Sequence, residues 1–163
     1  MKYCQFNEEE ILLKHLPVTG FFVEIGCLPD FKFSNTKLLH DNGWDGVWID
    51  KIESKDIIAH TVTPDNINEL KDKYFNRDVH FLSLDIDGND YHVLNAMNFR
   101  PKFLMVEYNI KKESGFMERN DSYEWKGQQD FGSSKDAFVK LLESRGYNLI
   151  EVNDANLLFK FNG

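Results

Sequence analysis

Five acidic residues stand where apolar runs of the sequence give out. They are Glu24 in GFFVEIG, Asp50 in GVWID, Asp85 and Asp87 in HFLSLDID, and Glu107 in FLMVEYN. Carboxylates so placed accept hydrogen bonds from ribose hydroxyls, hold cations, or take protons. Asp85 and Asp87 share one side of an extended chain because side chains alternate, and Glu107, at the end of the next apolar run, is placed to approach them. Together with Asn109 these three make an oxygen-rich site for magnesium, which would orient and acidify a hydroxyl. The plainer reading is that Asp87 or Asn89 caps the following helix with Gly88 making the turn, and capping alone is the preferred reading for Asn89 and Asp90. A calcium loop is excluded: Asp85, Asp87 and Asn89 fit its spacing, but Asp90 stands in place of the required glycine and Ala96 in place of the bidentate glutamate.

The loop after Gly26 carries Leu28, Pro29 and Asp30 where a pyrophosphate cradle would need spaced glycines. That argues against a dinucleotide. Asp50, closing its strand, is placed to accept from both hydroxyls of a ribose. A cofactor with a ribose, no phosphate and positive charge suits Glu24, Asp30 and Asp50, and S-adenosylmethionine (SAM), with its sulfonium and ammonium, meets that description. Pro29 removes an amide donor, and Asp30 puts a side chain where glycine would allow close approach.

These residues need elements to position them. Asn7 to Leu16 reads as a helix opened by a capping box of Asn7 and Glu10. Phe21 to Ile25, apolar on both faces, reads as a buried parallel strand. Ser34 or Asn35 caps a helix through Asn42, and Gly46 to Asp50 is a second strand. Ile57 to Thr63 has strand character, followed by a helix opening at Pro64. His80 to Asp87 and Phe103 to Asn109 are further strands around a helix from about Asn89 to Met97. Ser133 and Asp136 frame a second capping box, and Asn148 to Val152 with Leu157 to Phe161 make a hairpin. The expected fold is α/β: a mostly parallel central sheet, helices on both faces, a C-terminal antiparallel hairpin. Only six residues separate Asp50 from Ile57, too few for a crossover helix. Either the helix is deleted and the strand rearranged, or the stretch is no sheet strand.

The chain has 163 residues, 42% of them hydrophobic, and a net charge of −8. It fits one domain, 1–163, with 110–132 as an insertion. The charge speaks against nucleic acid or an anionic membrane as partner. The N-terminus is too acidic for a signal peptide, so a cytoplasmic setting with Cys4 and Cys27 as free thiols is expected.

GFFVEIG, SNTKLL, NGW, GVWID, TVTPDNIN, LSLDIDGNDYHVL and VEYN, followed by WKG, FGSS and GYNLIEVND, resemble the FkbM-type SAM-dependent methyltransferases in order along nearly the whole chain from Gly20. The resemblance implies a Rossmann-like seven-stranded sheet and methyl transfer to a hydroxyl of a sugar or other small acceptor. It implies that Glu24 and Gly26 line the methionine end of SAM, Asp50 its ribose, and Asp85, Asp87 and Glu107 the acceptor. Segment 110–132 would be an acceptor lid, with Phe116, Tyr123, Trp125 and Phe131 stacking on the acceptor, or else simply pinning the loop to the sheet. Leu28–Asp30 and the absent crossover helix both depart from the family's pattern at the SAM pocket. Two functions therefore stand side by side: an O-methyltransferase, and a methyltransferase-fold binding module that has lost SAM. In the first, an open pocket is flanked by Asp50 and Glu24; in the second, Leu28 or Phe31 fills that space. Metal-dependent sugar chemistry without SAM is a third and weaker reading.

Overall fold

The computed structural model describes residues 3–124 and 131–163. Seven strands form a single sheet: β1 (Phe21–Ile25), β2 (Asp45–Asp50), β3 (Ile57–Ala59), β4 (Phe81–Leu84), β5 (Phe103–Glu107), β6 (Tyr147–Val152) and β7 (Asn156–Phe161). Their order across the sheet is β3-β2-β1-β4-β5-β7-β6. The first five run parallel, and β7 lies antiparallel between β5 and β6. This is a Rossmann-like α/β sheet with the terminal hairpin read from the sequence.

Alternation along the strands divides the core. Phe21, Val23, Ile25, Leu82, Leu84, Leu104 and Val106 face one side. There they meet α3 (Ile67–Tyr74), α4 (Asp90–Ala96) and α5 (Lys135–Ser144). Phe22, Trp48, Phe81, Phe103 and Met105 face the other side, against Ile11 and Leu12 of α1 (Glu8–His15) and Leu39 of α2 (Lys37–Asp41). Burial on both faces explains why β1 and β4 are apolar at every position but Glu24 and Ser83.

The stretch after Asp50 decides between the two alternatives: the helix is deleted and the strand is kept in shortened form. No helix joins β2 to β3, yet β3 pairs parallel with β2, Trp48 opposite Ile57 and Asp50 opposite Ala59. A full-length strand would need a long crossover to return to the foot of the sheet. β3 starts only at the level of Trp48, so the chain steps back two residues, about 7 Å, and six residues suffice. The strand also ends at Ala59 rather than Thr63.

Two capping expectations fail for a common reason. Asn7 makes no capping bond at α1, because its side chain accepts from the Asn153 amide instead. Asn89, at the cap position of α4, spends its side chain on Asn120. The cap of α5 is Ser134 rather than Ser133, accepting from the Ala137 N–H. Among the described residues no helix is long and apolar enough to cross a membrane.

Candidate active site

The carboxyl ends of β3, β2, β1, β4 and β5 lie side by side, and a cavity of about 700 Å³ runs across them. Its floor is made at Gly26, where the backbone turns out of β1 with φ +94°. A methyl group at that position would sit 1.6 Å from the Asp85 carbonyl oxygen, so only glycine lets the two strand ends close up. Beyond β3, Thr61 and Val62 line one end, with Ile52 from the β2–β3 connection. Asp50 follows at the tip of β2. Its Oδ1 accepts from the Ile52 N–H at 2.8 Å, which fixes the carboxylate; burial raises its pKa and that amide bond draws it back.

At the opposite end Asp85, Asp87 and Glu107 face the cavity. Asp85 and Glu107 are hydrogen-bonded to each other, on neighbouring strands. Burial and the adjacent Glu107 carboxylate raise Asp85 well above the ordinary carboxylate range. Glu107 is also raised by burial, although the bond from Asp85 lowers it. Both carboxyls thus hold a proton more readily than isolated ones do, Asp85 the more strongly. Asp87 stands apart in a left-handed turn, φ +57°, raised by burial and opposed by the nearby Lys51 ammonium.

That turn is held from behind. The Asp90 carboxylate is 4% exposed and accepts from the Ile86 N–H at 2.9 Å and the Gly88 N–H at 3.1 Å. Burial still outweighs those bonds and pushes its pKa up to about 7. Asn89 exchanges two hydrogen bonds with the Asn120 backbone, and the Asn120 side chain donates to the Asp87 carbonyl. The aspartate loop thus anchors the segment that follows β5. Tyr123 and Phe131 of that segment line the cavity. Phe116 lies outside it under the Lys112 ammonium, and Trp125 falls outside the described residues.

Three expected site residues are placed otherwise. Glu24 does not line the cavity. Its position in β1 turns it to the α1–α2 face, where it is 4% exposed and accepts from Ser34 Oγ, Thr36 Oγ1 and the Asn35 N–H at 2.6, 2.6 and 2.8 Å. It closes the β1–α2 loop. Asp30 points away and accepts from the Lys32 N–H at the surface. Magnesium at Asp85, Asp87 and Glu107 is not supported: among the described residues no three histidine, cysteine or acidic side chains converge to hold a metal. Asn109 is occupied, donating to the Phe131 carbonyl and accepting from the Lys111 N–H.

The space itself is open. Leu28 lies on its rim, and Phe31 packs its ring edge-on to Trp48, 4.8 Å away, rather than filling it. Cys27, also in the wall, is buried with its thiol pKa raised, which makes it an inert neutral group. Gln5, Lys32 and Lys51 line the cavity and carry no sequence motif. Lys51 directly follows Asp50, and its ammonium donates to the Tyr123 carbonyl at 2.9 Å, tying the β2–β3 connection to the segment after β5.

No family model matches the chain, and no curated protein matches it. Among solved structures it is similar to a SAM-dependent methyltransferase from Aquifex aeolicus, with 13% identity and a TM-score of 0.48 over 94% of this chain and 89% of that one. It is also similar to the CMeT domain of the citrinin polyketide synthase, with 14% identity and a TM-score of 0.49. That match covers 93% of this chain and 49% of the other, so the chain spans about half of that domain structure.

Proposed function

We propose that this chain is a SAM-dependent methyltransferase of the FkbM type, moving a methyl group to a hydroxyl of a sugar or other small molecule. The observation that carries the reading is the single cavity crossing five strand ends, with Gly26 opening its floor and Asp50 at the tip of β2. Its volume suits one cofactor-sized ligand with room beside it for a small acceptor. SAM, when bound, supplies a methyl on a positively charged sulfur. The residues fit such a ligand: among the described residues the second oxygen of Asp50 has no partner and suits a ribose diol, Ile52 and Val62 give an apolar wall for a flat base, and the remaining acids favour positive charge.

The chain's own contribution lies at β4 and β5. Asp85 is raised further than Glu107, so Glu107 is the member of the pair that ionises first and can receive a proton. Its proton affinity, raised by burial, suits it to take the hydroxyl proton as the acceptor attacks. Tyr123 and Phe131 offer aromatic faces to the acceptor and cover the site against water. Positioning of the two partners for in-line displacement supplies most of the remaining effect.

The test is transfer of labelled methyl from SAM to a panel of glycans and hydroxylated small molecules. With an acceptor found, Glu107→Gln should lower kcat by about 10²–10⁴-fold with little change in SAM affinity. In the wild type kcat should rise with pH through an apparent pKa above the ordinary carboxylate range, because protonation of the pair removes the base. An active Glu107→Gln enzyme with the same pH profile would remove Glu107 from this role.

A further inference from the structure

We propose that Lys32, with Gln5 beside it, binds the α-carboxylate of the cofactor and sets the direction in which it lies. This rests on the SAM reading above and goes further, because it assigns the amino-acid end of the ligand to residues that belong to no motif.

The resemblance to the FkbM-type enzymes implies which end goes where. The nucleoside belongs at the tips of β2 and β3, with Asp50, Ile52 and Val62, and the reacting end belongs beside Asp85 and Glu107. The amino-acid end then falls to the β1–α2 loop and to the N-terminal segment that crosses it, where the Phe33 N–H donates to the Tyr3 carbonyl at 2.9 Å. Most polar groups in that corner are already committed. Glu24 is saturated by three donors. Ser34 Oγ donates to Glu24 and accepts from the Lys37 N–H. The Cys27 thiol points to the Leu28 carbonyl.

Among the described residues the Lys32 ammonium and the Gln5 side-chain amide have no hydrogen-bond partner. Both line the cavity. Lys32 Nζ rests 4.9 Å from the centre of the Phe33 ring, and among the described residues no carboxylate pairs with it. The other cavity lysine, Lys51, is tied to Tyr123. All other charged lining side chains are acids: Asp50, Asp85, Asp87 and Glu107. A zwitterionic amino acid entering this field has one favourable orientation, its carboxylate on Lys32 and its positive centres toward the acids.

The loop is shaped to present that lysine. Phe31 and Phe33 both adopt left-handed backbone, φ +58° and +64°, which is uncommon for bulky side chains. The turn is held by the Phe31 N–H on the Leu28 carbonyl, the Lys32 N–H on Asp30 Oδ1, and the Ser34 N–H on the Phe31 carbonyl. Leu28, Pro29 and Asp30, which replace the spaced glycines, therefore serve to carry a side-chain cation in place of backbone amides.

The experiment compares two ligands by calorimetry: S-adenosylhomocysteine, which carries the amino-acid end, and methylthioadenosine, which lacks it. Lys32→Met should weaken S-adenosylhomocysteine by about 10–100-fold, as loss of one charge pair does, and leave methylthioadenosine unchanged. Lys32→Arg should restore most of the loss, and Gln5→Leu should show the same selectivity more weakly. Equal loss of both ligands, or no loss of either, overturns the assignment while leaving the SAM reading intact. If neither ligand binds the wild type, the SAM reading and this inference fall together. Lys32 is exposed, so its variants should melt at the wild-type temperature.

Discussion

The β1–α2 loop and the β4–α4 loop solve one problem in opposite ways. Each leaves the end of a central parallel strand, turns through left-handed backbone and enters a helix. In the first, the clamping carboxylate comes from the strand: Glu24 reaches forward to Ser34, Asn35 and Thr36. In the second it comes from the helix: Asp90 reaches back to Ile86 and Gly88. The consequence is a polarised cavity. With its acid spent internally, the first loop shows the cavity a lysine, beside a glutamine from the N-terminal segment that crosses it. With its clamp supplied from α4, the second leaves Asp85 and Asp87 free to face the cavity. An acid at a strand end is thus no sign of a site until its hydrogen bonds have been traced.

The contrast breaks most sharply at Glu24. Glu24→Ala strands two buried hydroxyls and an amide without their acceptor and should cost about 3–5 kcal/mol of stability. Urea unfolding measures this, and Glu24→Gln should recover part of it. A loss confined to ligand binding, with the urea midpoint unmoved, would return Glu24 to the site.

Asp90 should show itself through pH. Its folded pKa, about 7, lies above its ordinary value of 3.8, so the folded state holds a proton that the unfolded chain releases. That contribution is complete below about pH 4 and is lost as pH rises through about 7. Asp85 and Glu107, also raised, act in the same sense. Wild-type urea midpoints should therefore fall between about pH 5 and about pH 8, and Asp90→Asn should flatten the fall. An equal slope in the variant would mean that Asp90 is not the group concerned.

The smallest effect sharpens the comparison at Asp30. Its carboxylate makes one exposed bond to the Lys32 N–H and does not reach the cavity. Asp30→Ala should weaken S-adenosylhomocysteine by no more than about threefold, the worth of one surface hydrogen bond. A loss as large as that of Lys32→Met would show Asp30 acting on the ligand itself.

The sheet was legible because β1, β4 and β5 are largely apolar on both faces and the last two strands flank a short Asn-rich turn. Asp50, Asp85, Asp87 and Glu107 were legible as cavity residues because strand ends collect there in any parallel sheet. Glu24 was not: it sits one residue before the end of β1, and only pairing with Trp48 and Ser83 reveals which face it takes. The missing helix between β2 and β3 was legible from the six-residue spacing, but which of the two alternatives held was not, because the crossover rule assumes a strand of ordinary length and β3 has three residues. Asn7 and Asn89 were read as caps because local geometry allows it, but partners distant in sequence claimed both side chains. Gln5 and Lys32 carried no signal, since a rim position exists only once the chain has folded across itself.

The central claim is that this cavity holds SAM with its ribose on Asp50. Calorimetric titration of S-adenosylhomocysteine into wild type and Asp50→Ala tests it directly. The account predicts micromolar binding to the wild type and a loss of at least about 100-fold in the variant, with both proteins equally folded. No heat at millimolar ligand from the folded wild type, or binding that Asp50→Ala leaves unchanged, would contradict it.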